Sequence, residues 1–206
     1  MTVSRRRQRY RESLRQEILD AARALFVESG YEATSIRRIA ERIGASSGIL
    51  YHYFEDKPAI MAQLVAEAFA KLSQRMGSIA RDAAPPLDSL RRAALTYIHF
   101  ALENPHHYAV LFLKNEASMA EPVIRDVFLR DGMQSFGCLL RITRACIEAG
   151  VLRPELTDEN EVAQSLWAGV HGIAALLITC SAFPFVEQTR LVDRHVDILI
   201  AGVKRT

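Results

Sequence analysis

The chain has 206 residues, 50% of them apolar and 24% charged, with a formal net charge of +2. That balance is ordinary for a soluble globular chain of one large domain or two small ones, and no repeat or low-complexity segment appears along it. The charge is uneven, however. Residues 1–15 carry six arginines (Arg5, Arg6, Arg7, Arg9, Arg11 and Arg15) against the single acid Glu12. Such an end seeks a polyanion, nucleic acid or a membrane surface, with a solvated tail as the bland alternative. Cys138, Cys146 and Cys180 lie in apolar surroundings without CxxC spacing, which suits reduced structural thiols and a cytoplasmic setting. The arginine-rich start also lacks the apolar run of a signal peptide.

Helical periodicity begins with Leu14, Ile18, Ala22, Leu25 and Phe26 and stops at Ser29-Gly30. Thr34 or Ser35 then caps a short helix bearing Ile36, Ile39, Ala40 and Ile43, closed by Gly44. Ser46 is expected to cap the next helix, through about Tyr53. A turn at Glu55-Asp56-Lys57-Pro58 leads into a long helix over 57–82, with a core stripe of Ile60, Leu64, Ala68, Leu72, Met76 and Ile79. Ala84-Pro85-Pro86 reads as a linker. Further helices are expected near 87–103, 105–116, 119–149, 158–181 and 187–204. The expected fold is all-α, about nine helices in total. A three-helix domain over residues 1–56 is followed by a larger helical bundle over 57–206.

From Val162 to Val186 there is no Asp, Glu, Lys or Arg, a length that could span a bilayer. Gln164, Ser165, His171, Thr179, Ser181 and Pro184 interrupt its hydrophobicity, and no basic cluster flanks it. The expectation is no membrane segment but a helix buried on all sides in protein.

Residues 34–53 have the layout of a helix-turn-helix, two short helices joined at Gly44, the second entering a DNA major groove. Leu50 and Phe54, four residues apart, can lock that helix onto its domain. Ser46, Ser47 and Gly48 form its tip, where hydroxyls and backbone N–H groups can meet phosphate oxygens. Tyr51, His52 and Tyr53 offer hydrogen-bonding rings along the groove side, with core packing as the competing role for Tyr51 and Tyr53. Arg37 could reach a base edge or a phosphate, and Lys57 a phosphate.

The run Gly30–Ile60, GYEATSIRRIAERIGASSGILYHYFEDKPAI, closely resembles the DNA-binding domain of the TetR family of bacterial transcriptional regulators. The matching elements are Gly30-Tyr31, Thr34-Ser35, Ile39-Ala40, Gly44, the S-S-G-x-L-Y-x-Y-F helix and Lys57. The resemblance implies that Thr34 or Ser35, Ser46, Ser47, Tyr51, His52, Tyr53 and Lys57 contact phosphates and groove, with Arg37 and Tyr51 reading bases. Two positions depart from the family pattern: Ser47 stands where many relatives carry lysine, and Ile49 where a small polar residue is frequent. Ile49 then suits a thymine methyl.

Gly44-Ala-Ser46-Ser-Gly48 also matches the G-x-S-x-G nucleophile elbow. That motif needs a strand before it and an α/β sheet around it, and a helical pattern stands there instead. No catalytic residue is therefore assigned and no enzyme is expected. His106-His107 lacks a third ligand at metal spacing, so neither metal nor cofactor is expected.

The bundle is rich in aromatics, and such bundles place ligand sites between facing helices. Candidate ligand residues are Tyr108, Phe112, Phe136, Trp167 and His171, with packed core as the competing role for Trp167 and His171. FALENPHHYAVLF and SLWAGVHGIAALL resemble a TetR subfamily with a Trp-then-His-Gly motif, here Trp167, His171 and Gly172. Small residues Ala168, Gly172 and Ala175, with the apolar Leu191, Val192, Val196, Ile198, Leu199 and Val203, would let helices 158–181 and 187–204 pair with a second copy. The expectation is a dimeric repressor released from a palindromic double-stranded DNA operator by a small, largely apolar effector. The alternative is a ligand-independent regulator or activator with the same DNA-binding mode.

Overall fold

A computed structural model describes residues 3–113 and 117–205. Among the described residues the chain forms nine α-helices and no strand longer than a single bridged pair. They group into two compact units, residues 1–68 with 106–130, and residues 69–105 with 131–206.

In the first unit α1 (Val3–Ser29) packs on α2 (Ile36–Arg42), and α2 on α3 (Ser47–Tyr51). α1 buries Ile18, Leu19, Ala22, Leu25 and Phe26 and ends where Gly30 turns to φ +84. Between the two candidate caps of α2, the structure selects Ser35. It is extended, and its Oγ accepts the Arg38 N–H at 3.3 Å. Gly44, at φ +67, sets the turn into α3, and Ala45 N–H returns to the Ala40 carbonyl at 2.9 Å. α3 is shorter than expected, ending at Tyr51 with His52 as its C-cap. Ser46 occupies the N-cap position, but its hydroxyl makes no capping bond. Five residues cannot hold a helix unaided. Leu50, fully buried, and Phe54, beneath the Arg15 guanidinium 4.9 Å from its ring centroid, anchor this one.

α4 (Lys57–Arg81) begins in the first unit, where Ile60, Leu64 and Ala68 are buried. Arg23 of α1 ties α4 down by pairing with Glu67 at 3.3 Å as well as with Asp20 at 2.7 Å. The single helix expected over 105–116 is instead α6 (Pro105–Tyr108) continued by a π-type turn, Ala109–Leu113. The end of that span, 114–116, lies outside the described residues. A 3₁₀ turn, Ser118–Ala120, precedes α7 (Pro122–Glu148), so the helix expected from 119 opens at Pro122, where proline suits a first turn.

In the second unit α5 (Pro86–Glu103), α8 (Glu159–Thr179) and α9 (Gln188–Val203) pack on one another. The remainder of α4 contributes buried Leu72, Met76 and Ile79 to this unit. Asp158 caps α8 by accepting the N–H groups of Asn160 and Glu161, and Glu187 caps α9 likewise through Thr189 and Arg190. The chain end is pinned to the α7–α8 connection, where Arg153 N–H donates to the Val203 carbonyl and Arg205 N–H to that of Val151.

α8 corrects one expectation. It is long and apolar enough to cross a membrane, with a mean hydropathy of 1.5, yet only 33% of that window is buried. Val162, Ala163, Leu166, Val170, Ile173 and Ala174 face inward, whereas Ser165, Ala168 and Leu176 are exposed. The helix is thus covered on one side by its own chain and open on the other. Cys180 is likewise exposed at the end of α8. Cys138 and Cys146 are buried, and burial pushes the Cys146 thiol up to about 11.

Candidate functional site

The turn at Gly44 and the anchor Leu50 decide what α3 presents. With Leu50 inward, helical geometry turns Ser46, Gly48, Ile49, Tyr51 and His52 to solvent, while Ser47 and Tyr53 are half-buried. Tyr51 is 58% exposed, an unusual place for a large ring unless it meets something. Ile49 is also exposed, so the tip combines backbone amides, hydroxyls and one apolar contact.

Arg37 projects from α2 with 83% of its side chain exposed, paired with Glu41 at 2.8 Å. That hydrogen bond pushes the guanidinium above its ordinary value and keeps it charged. A solvent-exposed i,i+4 pair contributes little, so Arg37 can exchange it for a better acceptor. Lys57 lies 4.1 Å from the Tyr31 ring centroid and donates to the Tyr31 carbonyl at 3.0 Å. An ammonium has three N–H donors, and one carbonyl engages one of them.

Thr34 is the exception among the candidate contacts. It is 1% exposed, and its hydroxyl donates to the Gly30 carbonyl at 2.8 Å. A hydroxyl has a single proton, and this one is spent closing the loop before α2. Thr34 is therefore a core residue, and its neighbour Ser35 faces solvent.

Upstream, the arginines from Arg5 to Arg11 are exposed on the N-terminal turns of α1, which continue as helix toward Val3. The basic end is thus a rod of charge continuous with the helix that packs on α2. Arg15, one turn beyond Arg11, lies over Phe54 beside the recognition segment.

The second unit holds a small, partly open cavity of about 30 Å³. Met76 of α4, Leu90, Ala93, Ala94 and Tyr97 of α5, Leu139 of α7, Leu166, Trp167 and Val170 of α8, and Leu199 and Ile200 of α9 line it. Behind it runs a hydrogen-bonded chain in which Trp167 Nε1–H donates to the Tyr97 hydroxyl at 3.1 Å. That hydroxyl lies 3.2 Å from His171 Nδ1. Burial holds His171 below its ordinary value, so the imidazole is neutral and Nδ1 can accept the Tyr97 proton.

Of the five residues expected around a ligand, Trp167 lines this cavity. Phe136 and His171 pack on the Trp167 ring, each with centroids 6.0 Å away. Tyr108 and Phe112 lie in the first unit, where Phe112 packs tilted against Tyr108 and meets Phe128 edge-on. Sequence reasoning missed the α5 wall, although Leu90, Ala93, Ala94 and Tyr97 recur at i, i+3, i+4 and i+7. That stripe marks a buried helix face and cannot by itself say which helices it meets. On the far wall a Cβ built on Gly169 would lie 2.8 Å from Leu199 Cδ2. A glycine there lets α9 seat directly on α8.

Among the described residues no group of three or more His, Cys, Asp or Glu is placed to hold a metal ion.

Comparison with known proteins agrees with this geometry. The family profile "Bacterial regulatory proteins, tetR family" matches residues 18–64, and "Tetracyclin repressor-like, C-terminal domain" matches residues 90–199. The HTH-type transcriptional repressor KstR2 of Mycobacterium tuberculosis is 32% identical over 145 residues, covering 70% of this chain and 72% of that one. The solved structure of the ketosteroid transcriptional regulator KstR2 of M. tuberculosis superposes with a TM-score of 0.76 at 21% identity, covering 93% of this chain and 95% of that one. The regulator FadR from Bacillus subtilis, solved in complex with stearoyl-CoA, gives 0.76 at 19% identity over 91% and 98% of the two chains. These two superpositions show likeness of fold. With the profile matches and the sequence relative beside them, the chain belongs to the TetR family of bacterial helix-turn-helix transcriptional regulators, and it is not an enzyme.

Proposed function

We propose that the protein is a dimeric repressor that binds a palindromic DNA operator and is released by a small apolar effector. The observation that carries this reading is the exposed polar row of α3 mounted on a buried Leu50. Ser35, Ser46, Ser47, the Gly48 amide, His52, Tyr53 and Lys57 take phosphates and groove edges. Arg37 and Tyr51 read bases, and Ile49 meets a thymine methyl. The arginines of α1 supply sequence-independent affinity. Because its partner is genomic DNA, the protein works in the cytoplasm.

One α3 of five residues reads few base pairs, so useful specificity needs two copies on a two-fold axis. The open faces of α8 and α9 support that pairing, with Leu176 at 48% and Ile198 at 61% exposure beside the small Ala168, Gly172 and Ala175. On this reading the chain divides by role near residue 56, into a reading head and an effector-binding and pairing bundle.

The effector occupies the bundle. α4 links the roles covalently, beginning at Lys57 and carrying the cavity-lining Met76. An effector that favours a wider cavity would shift α4 and change the spacing of the two heads. It acts only in so far as it binds that state more tightly. Two solved structures of like fold have titles that name a bound molecule, stearoyl-CoA for FadR and triclosan for SmeT. Triclosan is small and largely apolar, whereas stearoyl-CoA joins an apolar chain to a large polyanionic carrier, so together they support only an effector with an apolar part.

Selection of bound DNA from a random duplex pool, with sedimentation of the protein and of its complex, tests this reading. An enriched inverted repeat bound by a dimer is expected. Enrichment of no sequence, or a monomer on a single half-site, would overturn it.

A further inference from the structure

The inward stripe of α1 does not end where the folded core ends. Ile18, Ala22 and Leu25 are buried on it, and the same helical spacing carries it back through the half-buried Leu14 to Arg11 and Arg7. At about 100° per residue, Arg7 and Arg11 each fall within roughly 20° of Ile18 around the helix axis. Arg5 and Arg9 fall on the far side, about 140° and 180° from Ile18. Helical register thus divides four exposed arginines into two pairs of equal charge and opposite aim.

The inward pair leaves the domain beside the recognition segment. Arg15, one turn beyond Arg11, lies over the Phe54 ring at 4.9 Å, and Phe54 follows the end of α3 by three residues. Glu12, the single acid among residues 1–15, accepts from the Gln8 amide at 3.0 Å and sits about 100° around the helix from Arg11. For a free helix this arrangement is unfavourable. Arginines at i and i+4 repel, and cations near a helix start oppose its dipole, with no acidic residue in the first turn to offset them. A polyanion lying along the stripe relieves both effects. The matched family profile begins at residue 18, so it does not describe this extension.

We infer that the upstream half of α1 is a preformed helical clamp on the DNA backbone beside the segment read by α3, in which Arg7 and Arg11 hold phosphates and Arg5 and Arg9 do not. Each guanidinium has the fork of N–H donors that phosphate oxygens accept in pairs. The inference rests on the DNA-binding reading above and deepens it, giving part of the sequence-independent affinity to two side chains and their register.

Two double variants test it, Arg7→Ala with Arg11→Ala and Arg5→Ala with Arg9→Ala. They remove equal charge, and Arg9 lies between Arg7 and Arg11 in the chain, so neither net charge nor distance separates them. Affinity for the selected operator is measured by fluorescence anisotropy across a salt series. Loss of Arg7 and Arg11 should lower the slope of log affinity against log salt by about 0.9 per lost contact, up to about 1.8 for each bound copy. At physiological ionic strength it should weaken binding at least tenfold, and loss of Arg5 and Arg9 less than threefold. Ser13→Pro keeps every charge but breaks the helix between Arg11 and the core, and should cost as much as losing Arg7 and Arg11. Arg7→Lys with Arg11→Lys should retain most of the slope. Thermal unfolding confirms that each variant is folded.

Equal losses from the two alanine pairs would overturn the inference, leaving only a diffuse cloud of charge. So would unchanged affinity in Ser13→Pro, because the helix would then be irrelevant. Loss of binding to phosphatidylglycerol vesicles with the operator slope intact would also overturn it and assign the stripe to a membrane surface. In all three cases the DNA-binding reading stands. A wild-type protein that enriches no operator removes that reading, and the inference with it.

Discussion

Replacing Gly44 by alanine separates backbone conformation from packing in the turn that aims α3. Gly44 sits at φ +67, and a Cβ built there meets nothing within 4 Å. The substitution therefore carries no clash, and its cost is conformational. An L-residue held in the left-handed region loses roughly 1–2 kcal/mol. Alanine also stiffens the unfolded chain, which returns about 0.4–1 kcal/mol. The net expectation is a loss of about 1 kcal/mol for Gly44→Ala, and less for Gly44→Asn, since asparagine tolerates this region better. Urea unfolding followed by circular dichroism measures the loss, with operator affinity determined well below the transition. Because the geometry can be kept at that cost, affinity of the folded protein should change by no more than about twofold. A loss above about 3 kcal/mol would mean that the side chain collides with something. Asparagine as costly as alanine would mean that φ is not the cause. Either result refutes the reasoning.

Other expectations bear on binding and assembly. Arg37→Ala should cost about 1–3 kcal/mol on the selected operator and far less on random duplex, as gel-shift titrations of both would show. Removing residues 1–9, with Arg5, Arg6, Arg7 and Arg9, should lower the slope of log affinity against log salt by up to about 0.9 per lost phosphate contact. Sequence preference should survive, and an unchanged slope would make the arm a bystander. Leu176→Glu together with Ile198→Asp should shift sedimentation toward monomer and weaken operator binding, with the helical spectrum retained. His171 is neutral in the fold because burial lowers its pKa, so the unfolded chain binds its proton more readily. Stability contributed by the neutral ring is present above the ordinary value of 6.5 and falls as pH drops from there toward the folded value. His171→Asn should flatten that part of the stability–pH profile.

The sequence was most informative where one helix and one turn decide the outcome. Gly30, Gly44 and Gly150 all adopt positive φ, and the stop signals read from Ser29-Gly30 and Gly44 fall at helix ends. The α4 stripe from Ile60 to Ile79 is buried throughout, and Leu50 and Phe54 turn inward. These are period-3.6 and end-cap effects, set by neighbours a few residues away. The recognition segment was legible for the same reason, being two short helices and a turn within about twenty residues.

What tertiary structure decided is what distant segments do to one another. Thr34 and Ser35 are equally good caps by sequence, yet the packing of α1 on α2 buries the first and leaves the second to face solvent. The charge-free stretch of α8 from Val162 onward reads as enclosed on all sides, but the chain supplies helices for only one of them. Tyr97 gains its place beside Trp167 and His171 from the packing of α5 on α8, across about seventy residues of chain. Periodicity reports that a face is buried and carries no information on which face it meets. Pairing between helices is chosen by the fit of side-chain surfaces, of which the Leu199–Gly169 contact is an instance, and that fit exists only once the chain has closed on itself.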